Sequence, residues 1–268
     1  MTLDNIPENF QKLTAEDKAV YGSPELIYLN PPIVNAPLCI EKRENWIKWR
    51  AAPYPAQRHS EYLYIPNEDK RKNIRILISA VMQTPESIDS SISTIQSKRR
   101  YDILGKKALS KGYTARSIRP ADFNKDIWEI IHSSNLRQGR PIAPMYLNRP
   151  PDYGFPSYKT YANPNYDDIC CGVFSPDEKL AAYLLGKRVG HHVQYDEIMG
   201  HSEHVQNDIM YLLHITFLKL CIQCDIPPQC LNYGPWYSGE NPFSPEGGLN
   251  RWKRKVRFKP AFLILASY

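Results

Sequence analysis

Tyr195–Cys224 reads YDEIMGHSEHVQNDIMYLLHITFLKLCIQC. It opens like a strand and passes through a polar loop holding His201 and His204. From about Val205 to Cys224 apolar residues then stand at 205, 209, 212, 213, 217, 220 and 221. That spacing gives one broad buried helical face, so the stretch predicts a strand that hands over to a long core helix. The loop between them is either a ligand site, a metal site or a plain connection.

Upstream, DICCGVF, LAAYLLGKRV and HVQYDEIM read as consecutive strands. Pro176-Asp177 is turn chemistry and Gly190-His191-His192 is short enough for a hairpin, so both connections are antiparallel. Before them YTARSIR is strand-like, and FNKDIWEIIHSSN is helical with Ile127, Ile130 and Ile131 inward. A long Pro/Tyr loop then runs to Asp168. TPESIDSSISTIQSKRRYDILGKKALSKG marks a helix at both ends, with Thr84 as N-cap, Pro85 at the first helical position and Gly112 past the end. Downstream, PPQCLNYG returns as a strand, EGGLNRWKRKV as a short basic helix and AFLILA as a last strand. Residues 1–83 carry one strand-like run, Asn73–Gln83, and helical periodicity only around EKRENWIKWR. They read as an N-terminal arm or subdomain, with residues 84–268 as the main domain.

The 268 residues, 42% hydrophobic and 23% charged, suit a folded chain with one large core or two modest ones. The 23 prolines and 18 tyrosines gather in irregular stretches, which predict ordered loops packed by aromatics. A net charge of +6 permits a polyanionic partner without requiring one. No apolar run reaches the roughly 18 residues of a membrane span, and MTLDNIPENFQK lacks the basic and apolar regions of a secretion signal. The expectation is a cytoplasmic protein with reduced thiols.

His201 and His204 with Cys221, Cys224 and Cys230 are ligand types that zinc accepts. A helix of about 20 residues rises roughly 30 Å, so the histidines and the cysteines lie at opposite ends of it. No metal is expected. NRWKRKVRFK, Asn250–Lys259, holds six basic residues in ten with Trp252 and Phe258 interleaved. It reads either as a stacking and phosphate surface for RNA or as an amphipathic helix with Leu249, Trp252 and Val256 inward and its lysines solvated.

The element order, and with it KRRYDILGKKALSKGYTAR, LAAYLLGKRVGHHVQYDEIMGHSEHVQNDIMYLLHITFLKL, LNYG and GGLNRWKRKVRFKPAF, resembles the GNAT-like superfamily, in particular the FemAB-like peptidyl and aminoacyl transferases, over about residues 98–264. The resemblance implies an α/β (α+β) fold with a mixed, mainly antiparallel sheet flanked by helices. It also implies an N-acyltransferase that forms an amide from acyl-CoA or aminoacyl-tRNA and a small-molecule or peptide amine, with no tightly bound cofactor. The donor would lie where the fourth and fifth strands part, against Ile198, Met199, Gly200, His204 and Asn207, with helix-start amides facing any phosphate. Glu197 as base and Tyr233 as acid would be the catalytic pair, with Asp196 and His201 as alternates. Arg137, Gln138 and Arg140 of RQGRP would line the acceptor pocket, because paired arginines suit carboxylate or phosphate. A helix end stopped by Gly139 explains the same residues. Acetyl-CoA members usually place a glycine-rich turn after the fourth strand; GHSEHVQNDIM has one glycine and two acids. That departure favours aminoacyl-tRNA, and with it tRNA as a partner, or else an inactive site. The competing class is a noncatalytic RNA- or protein-binding module on the same scaffold.

Overall fold

The computed structural model describes residues 25–29, 60–63, 74–89, 101–137, 140–151, 168–189, 192–236 and 245–266. In chain order these form β1 (Glu25–Leu29), β2 (Ser60–Leu63), β3 (Ile74–Gln83), α1 (Tyr101–Ser110), β4 (Thr114–Ser117), α2 (Asn124–His132), β5 (Leu136–Arg137), β6 (Arg140–Pro141) and α3 (Pro144–Leu147). There follow β7 (Asp168–Phe174), β8 (Leu180–Val189), β9 (His192–Gly200), α4 (Ile209–Ile222), β10 (Cys230–Pro235), α5 (Pro245–Lys255) and β11 (Lys259–Ala266). The helix expected around EKRENWIKWR and the Pro/Tyr loop over 152–167 lie outside the described residues, as do 90–100 of the helix expected from Thr84.

The chain divides into two compact units: a central one, 83–231 with 255–257, and a terminal one built from both ends, 1–82 with 232–254 and 258–268. In the central unit β4, β7, β8 and β9 are neighbours in that order, all antiparallel. The turn Ser175–Lys179 closes β7 onto β8 through Ser175 N–H to Lys179 O at 2.8 Å, with Glu178 in the left-handed region at φ 59. β7 is buried at every position from Ile169 to Phe174, because both faces of this sheet are covered and alternation gives way to a continuous apolar run.

On one face, α2 delivers Ile127, Ile130 and Ile131, all fully buried, onto Cys170, Phe174, Leu180, Tyr183 and Leu185. Their spacing of three and four residues is what makes this short segment a helix with one committed face. On the other face α4 lies against β8 so closely that a Cβ on Gly186 would sit 2.4 Å from the Phe217 ring. α1 packs on α4 at Gly105, where a Cβ would meet Ile215 at 2.5 Å. Gly112, at φ +85, ends α1 as its sequence position predicts.

α4 begins at Ile209, not at Val205 as periodicity predicts. Val205–Asn207 form a separate 3-10 turn, and Asp208 at φ 62 breaks it from the helix. Asp tolerates that conformation better than most residues, and Asn207 is pulled aside by two side-chain hydrogen bonds.

In the terminal unit β11 pairs antiparallel with β3 from Lys259↔Val81 to Ala266↔Ile74, and parallel with β1. β2 pairs antiparallel with β3. The architecture is thus α/β with mixed, mainly antiparallel pairing.

Candidate functional site

Glu197 sits just past a β-bulge. β9 pairs with β8 as Gly186↔Tyr195 and then Leu185↔Glu197, so Asp196 is an extra residue without an opposite number. In a regular strand Tyr195 and Glu197 would share a face. The bulge turns Tyr195 toward Phe217 and His214 of α4, and Glu197 toward Tyr183 and the α2 side. Asp196 pairs with Lys187 at 2.7 Å.

Glu197 is 8% exposed and so is the Arg149 side chain. Arg149 donates Nη1 to Oε1 at 3.1 Å and Nη2 to Oε2 at 3.2 Å, and the Tyr183 hydroxyl also donates to Oε1. Burial, and then the Glu197 charge, push the Tyr183 hydroxyl well above its ordinary value, so it keeps its proton as a donor. The Arg149 guanidinium lies 5.2 Å from the Tyr146 ring centre. Arg149 has no motif around it in the sequence.

Arg137 is turned onto the chain itself. Its guanidinium donates to Gly200 O, to Ile130 O and to Ser133 Oγ, the last at 3.2 Å. Ser202 completes the stitch, donating its N–H to Ser133 Oγ at 3.0 Å and its hydroxyl to Ser133 O at 2.6 Å. These bonds satisfy the carbonyls at the end of α2 and tie them to the end of β9. Burial lowers the Arg137 pKa, with Tyr183 opposing. Arg140 pairs with Arg137 in the β5–β6 hairpin. Gln138 and the Arg140 side chain lie outside the described residues.

The loop after β9 is fastened from within. His204 Nδ1 lies 2.8 Å from the Tyr113 hydroxyl, Asn207 Nδ2 donates to that hydroxyl at 2.9 Å, and Lys111 Nζ donates to Asn207 Oδ1 at 2.9 Å. The amides of His204 and Val205 are taken by His201 O, and that of Asn207 by His204 O. Burial, then His201, lower the His204 pKa. A Cβ on Gly200 would lie 2.7 Å from Met210 Sδ and 2.9 Å from Val205 Cγ1, so the single glycine serves close packing of this loop. Ile198 and Met199 pair with Leu184 and Tyr183 of β8, and Met199 packs onto the α2 core.

In the terminal unit, α5 was expected to bury Leu249, Trp252 and Val256 and to leave its lysines solvated. Leu249 and Val256 are buried, Trp252 is half-buried, and Lys253 is 0% exposed. Lys253 Nζ donates to Pro235 O at 2.5 Å and stands 5.1 Å from the Tyr233 ring centre. A fully buried ammonium is rare in proteins and is retained only where it is held by acceptors or used. The sequence concealed it because Lys253 stands among Arg251, Arg254 and Lys255 in a basic run. Tyr233 packs edge-on to Phe258 at 5.5 Å. Burial raises its hydroxyl pKa, with Trp252 opposing through a hydrogen bond.

Among the described residues no group of His, Cys, Asp and Glu could hold a metal ion. Burial pushes the thiols of Cys171, Cys221 and Cys230 up, the last to about 12, which leaves them poor nucleophiles. No described helix is long and apolar enough to cross a membrane.

No protein-family model matches the sequence, and neither does any curated protein. Among solved structures the chain is similar to FemX, with a TM-score of 0.53 and 9% identity over 76% of this chain and 64% of that one. It is also similar to L-PGS from Bacillus licheniformis, with a TM-score of 0.47 and 12% identity over 74% of this chain and 62% of that one. A GCN5-related N-acetyltransferase from Kribbella flavida gives a TM-score of 0.39 and 7% identity over 79% of this chain and 60% of that one. The chain therefore spans a little over six tenths of the first of these structures. The likeness to FemX, at a TM-score above 0.5, shows that this chain shares the fold of that protein.

Proposed function

We propose that the protein is an N-acyltransferase, joining an activated acyl or aminoacyl group to an amine. The observation that carries this reading is Lys253, a buried ammonium fixed on Pro235 O at the end of β10 and facing the Tyr233 ring. Attack of an amine on a thioester or ester carbonyl places negative charge on the carbonyl oxygen. A fixed cation in a site shielded from water lowers the barrier most when it acts on such developing charge. When the intermediate collapses, the C–S or C–O bond to the leaving group breaks and that group takes up a proton. Tyr233, on the same strand as the Lys253 acceptor Pro235, is proposed to supply that proton.

Glu197, which the resemblance implies as base, belongs to the central unit, whereas Lys253 and Tyr233 belong to the terminal one. Both Glu197 carboxylate oxygens are engaged by Arg149. The donor is acyl-CoA or aminoacyl-tRNA; the closely packed, single-glycine loop after β9 favours the second. The acceptor is a small-molecule or peptide amine, with Arg140 proposed as its anion-binding partner.

The test is loss of the acyl group from acyl-CoA and from aminoacyl-tRNA in the presence of a panel of amines, for the natural chain and Lys253→Met. Removal of one such charge-stabilising group costs about 100- to 1,000-fold in turnover. Equal rates for the two proteins would remove Lys253 from the chemistry. A second reading, a noncatalytic RNA- or protein-binding module, is favoured by one observation: Arg137 and Glu197 are both spent on the chain's own groups. It forecasts no discharge of either donor by folded protein.

A further inference from the structure

Asn232, on β10, is 0% exposed. Its Oδ1 accepts the Gly234 N–H at 2.8 Å. A backbone N–H can only donate, so this bond fixes which end of the carboxamide is oxygen and leaves Nδ2 as the free-standing end. Nδ2 is buried and has no hydrogen-bond partner among the described residues. Buried amide donors are nearly always satisfied, so one left open calls for an explanation.

Beside it lies a second, independent feature. Gly234 is buried and in the left-handed region at φ +70, yet among the described residues, its own two chain neighbours aside, no heavy atom stands within 4 Å of where its Cβ would be. Glycine is needed here for its backbone conformation. Gly105, Gly172, Gly186 and Gly200 have side chains pressed onto them; among the described residues none beyond its chain neighbours is pressed onto Gly234. A strand end that combines an unanswered N–H donor with room next to it has the makings of a notch for one oxygen acceptor. The donor is neutral, which suits a carbonyl oxygen better than a fully charged group.

We propose that Asn232 Nδ2 binds the carbonyl oxygen of the ligand's acyl group, with the space at Gly234 admitting that group. This rests on the acyltransferase reading for the identity of the ligand, but not for the notch itself.

The experiment follows the side-chain amide resonances of Asn232 in nitrogen-15-labelled full-length protein. They are identified by their absence in Asn232→Leu or, if that variant does not fold, in Asn232→Ser. The probes are N-methylacetamide as a bare carbonyl, acetyl-CoA with CoA, and aminoacyl-tRNA with uncharged tRNA. The expected result is movement with N-methylacetamide and with one acylated donor, and none with its deacylated partner. The natural chain should bind the acylated form about tenfold more tightly than the deacylated one, the worth of a hydrogen bond to an otherwise unsatisfied donor, and the variant should lose that preference. Movement with N-methylacetamide alone would sustain the notch and remove the acyltransferase reading. Resonances unmoved by every carbonyl-bearing probe would overturn the proposal.

Discussion

Glu197 and Arg149 are a buried pair, and removing one partner strands the other's charge. Glu197→Gln or Arg149→Met alone should therefore cost about 3–5 kcal/mol in urea unfolding, and the double variant clearly less than the sum of the two. Additive losses would mean that the two side chains contribute to folding independently and not as a pair. His214 supplies a different kind of test. Its ring is fully buried, with Nδ1 3.1 Å from the Tyr195 hydroxyl, and burial lowers its pKa from 6.5 to about 3. The fold thus favours the neutral ring: the stability it contributes is complete above pH 6.5 and is lost as pH falls from there toward 3. Unfolding free energy should drop with a slope of up to about 1.4 kcal/mol per pH unit in that window, and His214→Phe should flatten it. An unchanged slope would assign the acid sensitivity to carboxylates. None of these roles was legible from the sequence. Arg149, His214 and Lys253 carry no local signature of burial, because what buries them is contributed by residues distant in the chain.

Helices and strands were far more legible. α2, β7, β8, β9, β10 and β11 stand where apolar periodicity and turn residues place them, since each is dictated by residues a few positions apart. The start of α4 was missed because a single left-handed residue, Asp208, overrides the pattern of the seven apolar positions. The bulge at Asp196 was missed for the same reason: alternation gives no sign of an inserted residue. Two substitutions test how the elements are held. Gly186→Ala would drive a methyl group into the Phe217 ring and within 2.9 Å of Ile169 O, and should cost about 1–3 kcal/mol by overpacking. Arg137→Met would leave Gly200 O and Ile130 O without the guanidinium and should cost about 1–3 kcal/mol. If Arg137→Met instead keeps its unfolding midpoint and loses a ligand, the residue belongs to a binding site and not to the clasp between α2 and β9.

At the scale of the whole molecule, the order of elements indicated the GNAT-like fold, and the likeness to FemX agrees with it. For function the sequence offered only the class of reaction that the resemblance implies, because the residues that would choose donor and acceptor have no periodicity to read. An acyltransferase on this fold must hold an activated acyl donor, and that is the property on which the proposed function stands. It is tested most directly by thermal unfolding of the full chain with acetyl-CoA, longer acyl-CoAs, free CoA, aminoacyl-tRNA and uncharged tRNA. A donor present at 100 times its dissociation constant adds about 2.7 kcal/mol, which moves the unfolding midpoint by several degrees. Such a shift is expected with one acylated donor, and most of all with aminoacyl-tRNA, if the protein is an acyltransferase. An unmoved midpoint with every acylated donor, in protein shown to be folded, would contradict the proposed function.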